Sequence, residues 1–528
     1  MDQSVGCQAR SQSRVGAAIA ESEEVQLVGH GEVNQGNACM KTAYKKLALA
    51  VCLCAGLTGP DVEAEVSPPA KDWKNLTAND LSVMRQLIVN SHPGAIDSSN
   101  EAFTDWVERG YLEAGQLSER VNSRKDSQAV LNFYIAGFKD GHVGLNHPDQ
   151  EHSSWAGFIL DMRGQSFVVK HLAKNWPVPL PAKGSRVISC DNKSVGEILE
   201  SELSPYIDRR LGLKSTWLHL AKQLTVDDAN YPVLDRVLSK SCVVVLPNET
   251  RQNFTLLWQE DLGHLDAFLR QAQPPQSLQS LGGGLYWIHV SNFMPSAAEN
   301  ASLDKMLDVI KTLKDANLVV LDTRGNRGGN SLVGAEILSA LLGSQLVNNL
   351  SESSRAYAMW RVSPFALSTL NQALTAMGRD YGKNSEAYKF VFSLTKLMEL
   401  ALREKKDWLR QPSTSSVDQE GSRGFNTQAF KGRLALVTDS FCASACLDFA
   451  GIVLAIPEVV HFGASTSGDT LYIDIGSQTL PSGAQFWIPL KVWRGRVRGN
   501  NQSYDPQFVF DGDINDTAAV QKWVLNNL

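Results

Sequence analysis

The sequence predicts an α/β protein with a helical N-terminal part and a β-rich middle, and three observations carry that prediction. After residue 284, short apolar runs alternate with longer amphipathic ones: "LYWIHV", "ASLDKMLDVIKTLKD", "NLVVLD" and "LVGAEILSALL". The alternation resumes with "RLALVTD", a helix expected from about Ala445, and "EVVHFGA". This is the cadence of parallel strands joined by crossover helices. From Leu81 to about Phe138 the apolar spacing is helical, as in "LSVMRQLIV" and "AVLNFYIAGF". From Trp155 the period shortens. "GFILDMRGQSFVVKHLA" reads as two strands about a glycine turn, and "AKGSRVISCDNKSVGEILES" as strand, turn and helix.

Boundaries follow from composition. "SPPAKDW" (67–73) reads as a linker, and "QAQPPQSLQSLGGG" (271–284) separates the β-rich segment from the alternating one. This divides the chain into a helical part at 70–154, a β-rich module at 155–270 and an α/β core at 280–528. Residues 345–428 interrupt the core with helix-like, charged sequence and the stretch "QPSTSSVDQEGS", and are expected to be a helical insertion. No internal repeat is present.

Upstream, "MKTAYKKLALAVCLCAGLTG" begins at Met40 with three lysines, continues into a short apolar run and reaches small residues by Ala64. That layout is a secretory signal over 40–64, and its apolar run is too short to anchor the chain in a membrane. Residues 1–39 are polar and aperiodic and are expected to be an upstream extension, not native to the protein. An exported chain is therefore expected, periplasmic or extracellular. Past the signal four cysteines remain, and Cys190 with Cys242 is one feasible disulfide in an exported protein. The chain has 528 residues, 43% of them hydrophobic, which gives ample material for a core. A formal net charge of -6 supplies no basic field, so nucleic acid is not an expected partner.

Three stretches carry candidate chemistry. In "TDSFCASACLDFAG", Ser444 follows a strand and opens a helix, where free backbone N–H groups and the helix dipole favour a developing oxyanion. A serine there is a nucleophile if a base reaches it; a helix N-cap is the plainer role. Cys442 and Cys446 flank it. They read as small buried residues or a local disulfide, a spacing only marginally compatible with bridging inside one regular helix. "LDTRGNRGGN" (321–330) follows a buried strand with glycines able to turn sharply and present amides, but no Lys-Ser or Lys-Thr makes it a phosphate loop. "FKDGHVGLNHP" places His142 in a glycine-flanked turn; His147 and His152 follow at no standard metal spacing. No metal or cofactor is expected.

Together, "LVVLDTRGNRGGN", "LVTDSFCASACLDFAG", "KDGHVGL" and the closing "LPSGAQFWIPLKVWRGRVRGNNQSYDP" resemble peptidase family S41, the C-terminal processing (tail-specific) and tricorn-like serine peptidases. The resemblance spans most of the chain from about residue 75. It implies a crotonase/ClpP-like core, a helical N-terminal domain and a PDZ-like module. It implies Ser444 as nucleophile, with the amide of Ala445 and one of Gly328 or Gly329 as oxyanion hole. The tail-specific branch uses a lysine base where this chain has Asp469. The resemblance is therefore closer to the tricorn-like branch, whose histidine base falls on His142. The orienting acid of that branch falls near Gln502, with Asp505 close by, and Gly141 stands where the pattern has a serine. A neutral imidazole suits removal of a hydroxyl proton, whereas an uncharged glutamine stabilises imidazolium less than a carboxylate does.

The expected function is hydrolysis of peptide bonds in extended polypeptides by an exported serine peptidase, with the polypeptide added as a strand beside the site. A catalytically inactive binding protein on the same fold is the alternative. A phosphate-binding α/β protein using 325–330 is the remote third.

Overall fold

A computed structural model describes residues 71–148, 152–260, 265, 276–351, 356–380, 382–412 and 430–528. The expected signal and upstream extension lie outside them. Among the described residues, no helix is long and apolar enough to cross a membrane.

Three helices, Trp73–Ser91, Glu101–Ser118 and Arg124–Ala136, open the chain. Each begins where an Asp, Asn or Ser side chain accepts from an amide of the first turn: Asp72, Asn100 and Ser123. Asp126 completes a capping box with Ser123.

The β-rich module follows as the antiparallel order Phe158–Arg163, Ser166–Leu172, Arg186–Cys190, Ser241–Val245, Arg251–Thr255. Gly164, at φ 55°, makes the expected turn between the first two strands. Cys190 and Cys242 are paired residues of neighbouring strands and form the disulfide the sequence allowed. The helix Lys214–Leu224 packs on the strand Phe158–Arg163, with Leu220, Ala221 and Leu224 buried in the module's core.

Beyond it lies a six-stranded sheet in the order Ser277–Gly282, Leu285–His289, Leu318–Asp322, Arg433–Thr438, Val460–Gly463, Phe508–Val509. All neighbours after the first pair are parallel. Every residue of Leu318–Asp322 is buried, as a central parallel strand requires. Helices Ala297–Ile310, Ser331–Leu342 and Ala445–Leu454 share a core on one face, and Thr517–Asn526 packs on the other.

The insertion differs from its expectation. Its helices Pro364–Asp380 and Glu386–Arg403 are present, but strands Tyr357–Arg361 and Trp408–Arg410 flank them. Tyr357–Arg361 pairs with Trp408–Arg410 on one edge and with Gln485–Arg494 on the other, and Gln485–Arg494 also pairs with Tyr472–Thr479 and with Gly144–Asn146 beside His142. Trp360, Leu394 and Met398 thus enter one apolar core with Leu131 and Tyr134 of the N-terminal helices. Pairing with strands more than a hundred residues away is what the local helical pattern hides.

Candidate active site

Ser444 occupies an uncommon backbone conformation, φ 53° and ψ -127°, between the strand Arg433–Thr438 and the helix Ala445–Leu454. A non-glycine residue at positive φ costs roughly 1–3 kcal/mol and persists only where the surroundings impose it. The serine is no ordinary helix cap, because its side chain makes no capping hydrogen bond. Three constraints impose the bend. Cys442 and Cys446 form a disulfide across it, with Cα atoms 5.2 Å apart, and both are wholly buried. Cys442 lies before the helix, so the bridge does not span a regular helical turn. The Ser444 amide donates to the carboxylate of Asp469. Gly328 presses against the bend from the other side.

Gly328 and Gly329 both adopt positive φ, 93° and 130°. A Cβ on Gly328 would stand 2.6 Å from the Ala443 carbonyl oxygen and 2.7 Å from Ser444 Cβ, so only glycine fits. The loop is held by its own side chains. Asn326 Oδ1 accepts the Gly328 amide at 2.8 Å and its Nδ2 donates to the Val290 carbonyl. Arg324 grips Asp322 through two nitrogens. Burial would raise the Asp322 carboxyl, but His289 and Arg324 together hold it well below the usual carboxylate range. Since the Gly328 amide is engaged, the Gly329 amide is the one open to a ligand. Among the described residues neither it nor the Ala445 amide donates to any group.

His142 sits in the turn before the strand Gly144–Asn146, with a side chain 17% exposed. Its amide donates to Asp140 Oδ1 at 2.9 Å, and its Nδ1 stands 3.7 Å from that oxygen, longer than a hydrogen bond. Thr470 Oγ1 donates to the same oxygen at 2.9 Å. On the far side, His92 Nε2 lies 3.5 Å from Asp140 Oδ2. His92 Nδ1 accepts the Gly94 amide, so the proton of the neutral ring is on Nε2, facing the carboxylate. Burial pushes His92 down and keeps it neutral. Burial would raise Asp140, but His92 and His142 hold it below its ordinary value, so it is an ionised carboxylate in a closed pocket.

The segment 468–470 connects the two halves. Asp469 reaches the Ser444 amide, while its neighbour Thr470 reaches Asp140. Arg210 Nη1 donates to the Gly468 carbonyl at 2.9 Å, and its other nitrogens bind Asp208. A Cβ on Gly141 would lie 2.9 Å from Arg210 Nη1.

The two expected acids lie elsewhere. Gln502 is exposed and its Oε1 accepts the amide of Gly499, a bond within its own turn. Asp505 is exposed beside His461, a buried ring that also bonds the Thr438 hydroxyl at 2.8 Å. The carboxylate next to His142 is Asp140, two residues earlier in the same turn. Its signal was present in "KDGH", where an acid precedes the histidine by the interval of an Asx turn. Nothing in the sequence pointed to Arg210 or to the amide bond made by Asp469.

Residues 285–494 match the family model described as peptidase family S41. Among solved structures, mature CPAF aligns at TM-score 0.59 and 13% identity, over 86% of this chain and 96% of its own. Mature CPAF complexed with lactacystin aligns at TM-score 0.59 and 13% identity, over 86% and 98%. The photosystem II D1 C-terminal processing protease aligns over 84% of this chain and 94% of its own, at 12% identity and a TM-score of 0.35. At these identities the likeness to CPAF is one of fold. No curated protein matches the sequence. The residues matched to the model of peptidase family S41, 285–494, carry both the glycine loop and Ser444.

Proposed function

We propose that this protein cleaves peptide bonds of extended polypeptides with Ser444 as nucleophile and His142 as general base, in the manner of the tricorn-like branch. The observation that carries the reading is the strained Ser444 bend, braced on three sides beside the unengaged amides of Ala445 and Gly329.

In this reading Ser444 Oγ attacks the scissile carbonyl carbon as His142 takes its proton. The oxygen that gains negative charge is held by the amides of Ala445 and Gly329, aided by the positive end of the helix Ala445–Leu454. Collapse breaks the C–N bond, and the leaving amine receives the proton from His142. Water, deprotonated by the same imidazole, then hydrolyses the acyl-enzyme and restores the serine. Asp140 orients His142 and stabilises the imidazolium, taking the role expected of Gln502 or Asp505. Its 3.7 Å separation closes when substrate is bound, as catalytic hydrogen bonds often do. The glutamine that favoured an inactive protein is therefore not the group on which activity depends.

The architecture supports a crotonase-like core at 280–528, a PDZ-like module at 155–270 and a helical part at 70–154. Two buried disulfides fit an oxidising compartment, in keeping with export to a periplasm or exterior. The test is a fluorophosphonate probe on the purified protein. Adduct at Ser444 that is lost in His142→Ala supports the peptidase, and absence of label from folded protein refutes it.

A further inference from the structure

The strands Leu318–Asp322 and Arg433–Thr438 run side by side as far as Asp322 and Val437, and the Thr323 amide then donates to the Val437 carbonyl at 2.9 Å. Beyond that point the two chains part. One becomes the glycine loop that carries Gly329, the other the serine loop that carries Ser444 and Ala445. Asp439, 2% exposed, spans the gap between them. Its Oδ2 accepts the Gly325 amide at 2.8 Å and its Oδ1 accepts the Phe441 amide at 3.0 Å. The first bond crosses to the glycine loop; the second closes an Asx turn at the start of the serine loop.

Both groups bound to the carboxylate are N–H donors. Only the ionised form accepts from both at once, because protonation turns one oxygen into a hydroxyl whose proton would face an amide proton. Arg324 faces Asp439 but is engaged with Asp322, which is also paired with His289. Lys222 on the helix Lys214–Leu224 adds a positive field, and its Nζ lies 4.9 Å from the centre of the Phe441 ring. The Arg327 guanidinium carbon lies 4.6 Å from the same centre. His461 is turned to the Thr438 hydroxyl. Burial outweighs the two amides and Arg324 and pushes the Asp439 carboxyl up to about 6. An asparagine would fill the same space and hold one loop without burying a charge.

We infer that Asp439 is a positioning residue: its two carboxylate oxygens tie the glycine loop to the serine loop and thereby set the separation of the Gly329 and Ala445 amides that receive the oxyanion. The inference rests on the proposed roles of those two amides. It gives the buried charge a purpose, since one acceptor oxygen per loop is what holds both halves of the oxyanion hole in register. Protonation releases one loop, so the reaction slows in acid for a reason separate from protonation of His142.

The test compares full-length wild type with Asp439→Asn. On a fluorogenic peptide at pH 7 the variant should lose about 10²-fold in kcat with little change in KM. Below pH 6, wild-type log kcat should fall with a slope greater than one, because two groups take up protons, and the variant with a slope of about one. Stability gives an independent sign. The folded carboxyl sits above its ordinary 3.8, so the folded chain holds the extra proton between the two values. Wild-type stability to urea therefore falls as pH rises across that window, and the variant should lack the fall. Amide hydrogen exchange, read by mass spectrometry on peptides covering 321–330 and 439–446, needs neither turnover nor the variant. In wild type, corrected for intrinsic rates, it should quicken in both segments below about pH 6. A kcat within about twofold of wild type in the variant, or loop exchange indifferent to pH in wild type, overturns the inference and leaves the peptidase standing. Wild type that cleaves no peptide and takes no fluorophosphonate refutes the peptidase and with it the oxyanion role of the tie.

Discussion

Replacing Cys442 and Cys446 together by alanine isolates what the disulfide across Ser444 contributes. The bridge joins residues four apart, so it closes a ring of about five residues. On the chain-entropy estimate such a ring stabilises the fold by about 2 kcal/mol. That is the same size as the roughly 1–3 kcal/mol stored at a non-glycine residue with positive φ. Without the bridge, relaxation of Ser444 toward ordinary backbone angles competes directly with the reactive bend. If the full 2 kcal/mol goes into that relaxation, the reactive population falls by about 30-fold. The control is Cys190→Ala with Cys242→Ala, which opens a ring closed across a separation of 52. By the same estimate it costs about 4 kcal/mol of stability, but it joins two strands of the β-rich sheet and does not bridge the bend at Ser444. Urea unfolding and kcat on a fluorogenic peptide, below both transitions, read the two effects. The Cys442/Cys446 variant should lose kcat by about tenfold or more despite its smaller stability loss, while the Cys190/Cys242 variant should keep its kcat. If the serine-loop variant retains kcat within about twofold, the bridge braces the fold and not the nucleophile, and the argument fails.

Three further outcomes follow from the same geometry. Asp140→Asn should lower kcat by about 10³-fold or more with little change in KM, because it leaves His142 without a charged orienting partner; wild-type rates would place the acid elsewhere. Gly328→Ala forces a Cβ against the Ala443 carbonyl oxygen and Ser444 Cβ at φ 93°. It should destabilise the protein by about 2 kcal/mol or more and stop fluorophosphonate labelling, measured by thermal melt and intact mass. Lys222→Met should raise stability at pH 7 by about 1 kcal/mol, allowing for the ammonium's remaining solvent contact. The sign follows from Lys222 being lowered to about 8 in the folded state. Between that value and its ordinary one the unfolded chain holds more protons, so wild-type stability rises with pH across this window. The methionine variant should lack that rise, and parallel pH profiles of the two proteins would refute it.

Much of the architecture was legible because it is local. The parallel strands showed as apolar runs, the helices as periodic ones, and their order along the chain set the α/β alternation. Ser444 and His142 were visible because small residues surround them, where glycine and alanine let a chain bend closely. The flanking strands of the insertion were not visible. Tyr357–Arg361 and Trp408–Arg410 are short; the first pairs with the distant Gln485–Arg494, and the second pairs with the first across the two helices of the insertion. The surroundings of the two expected acids were hidden for a related reason: Gln502 and Asp505 are each engaged in their own neighbourhood, by Gly499 and His461, and the carboxylate beside His142 is Asp140.

The sequence by itself therefore determined which segments could be strand or helix and which serine stood at a strand-to-helix bend. Only the tertiary structure decided what surrounds that serine: Asp469 on its amide, Gly328 against its Cβ, Asp140 rather than Gln502 beside His142, and the cations of Lys222 and Arg327 over Phe441. The physical reason is one of range. Backbone propensity and apolar periodicity act over a few residues. Charge pairing, burial and close contact depend on which distant residues the fold brings together.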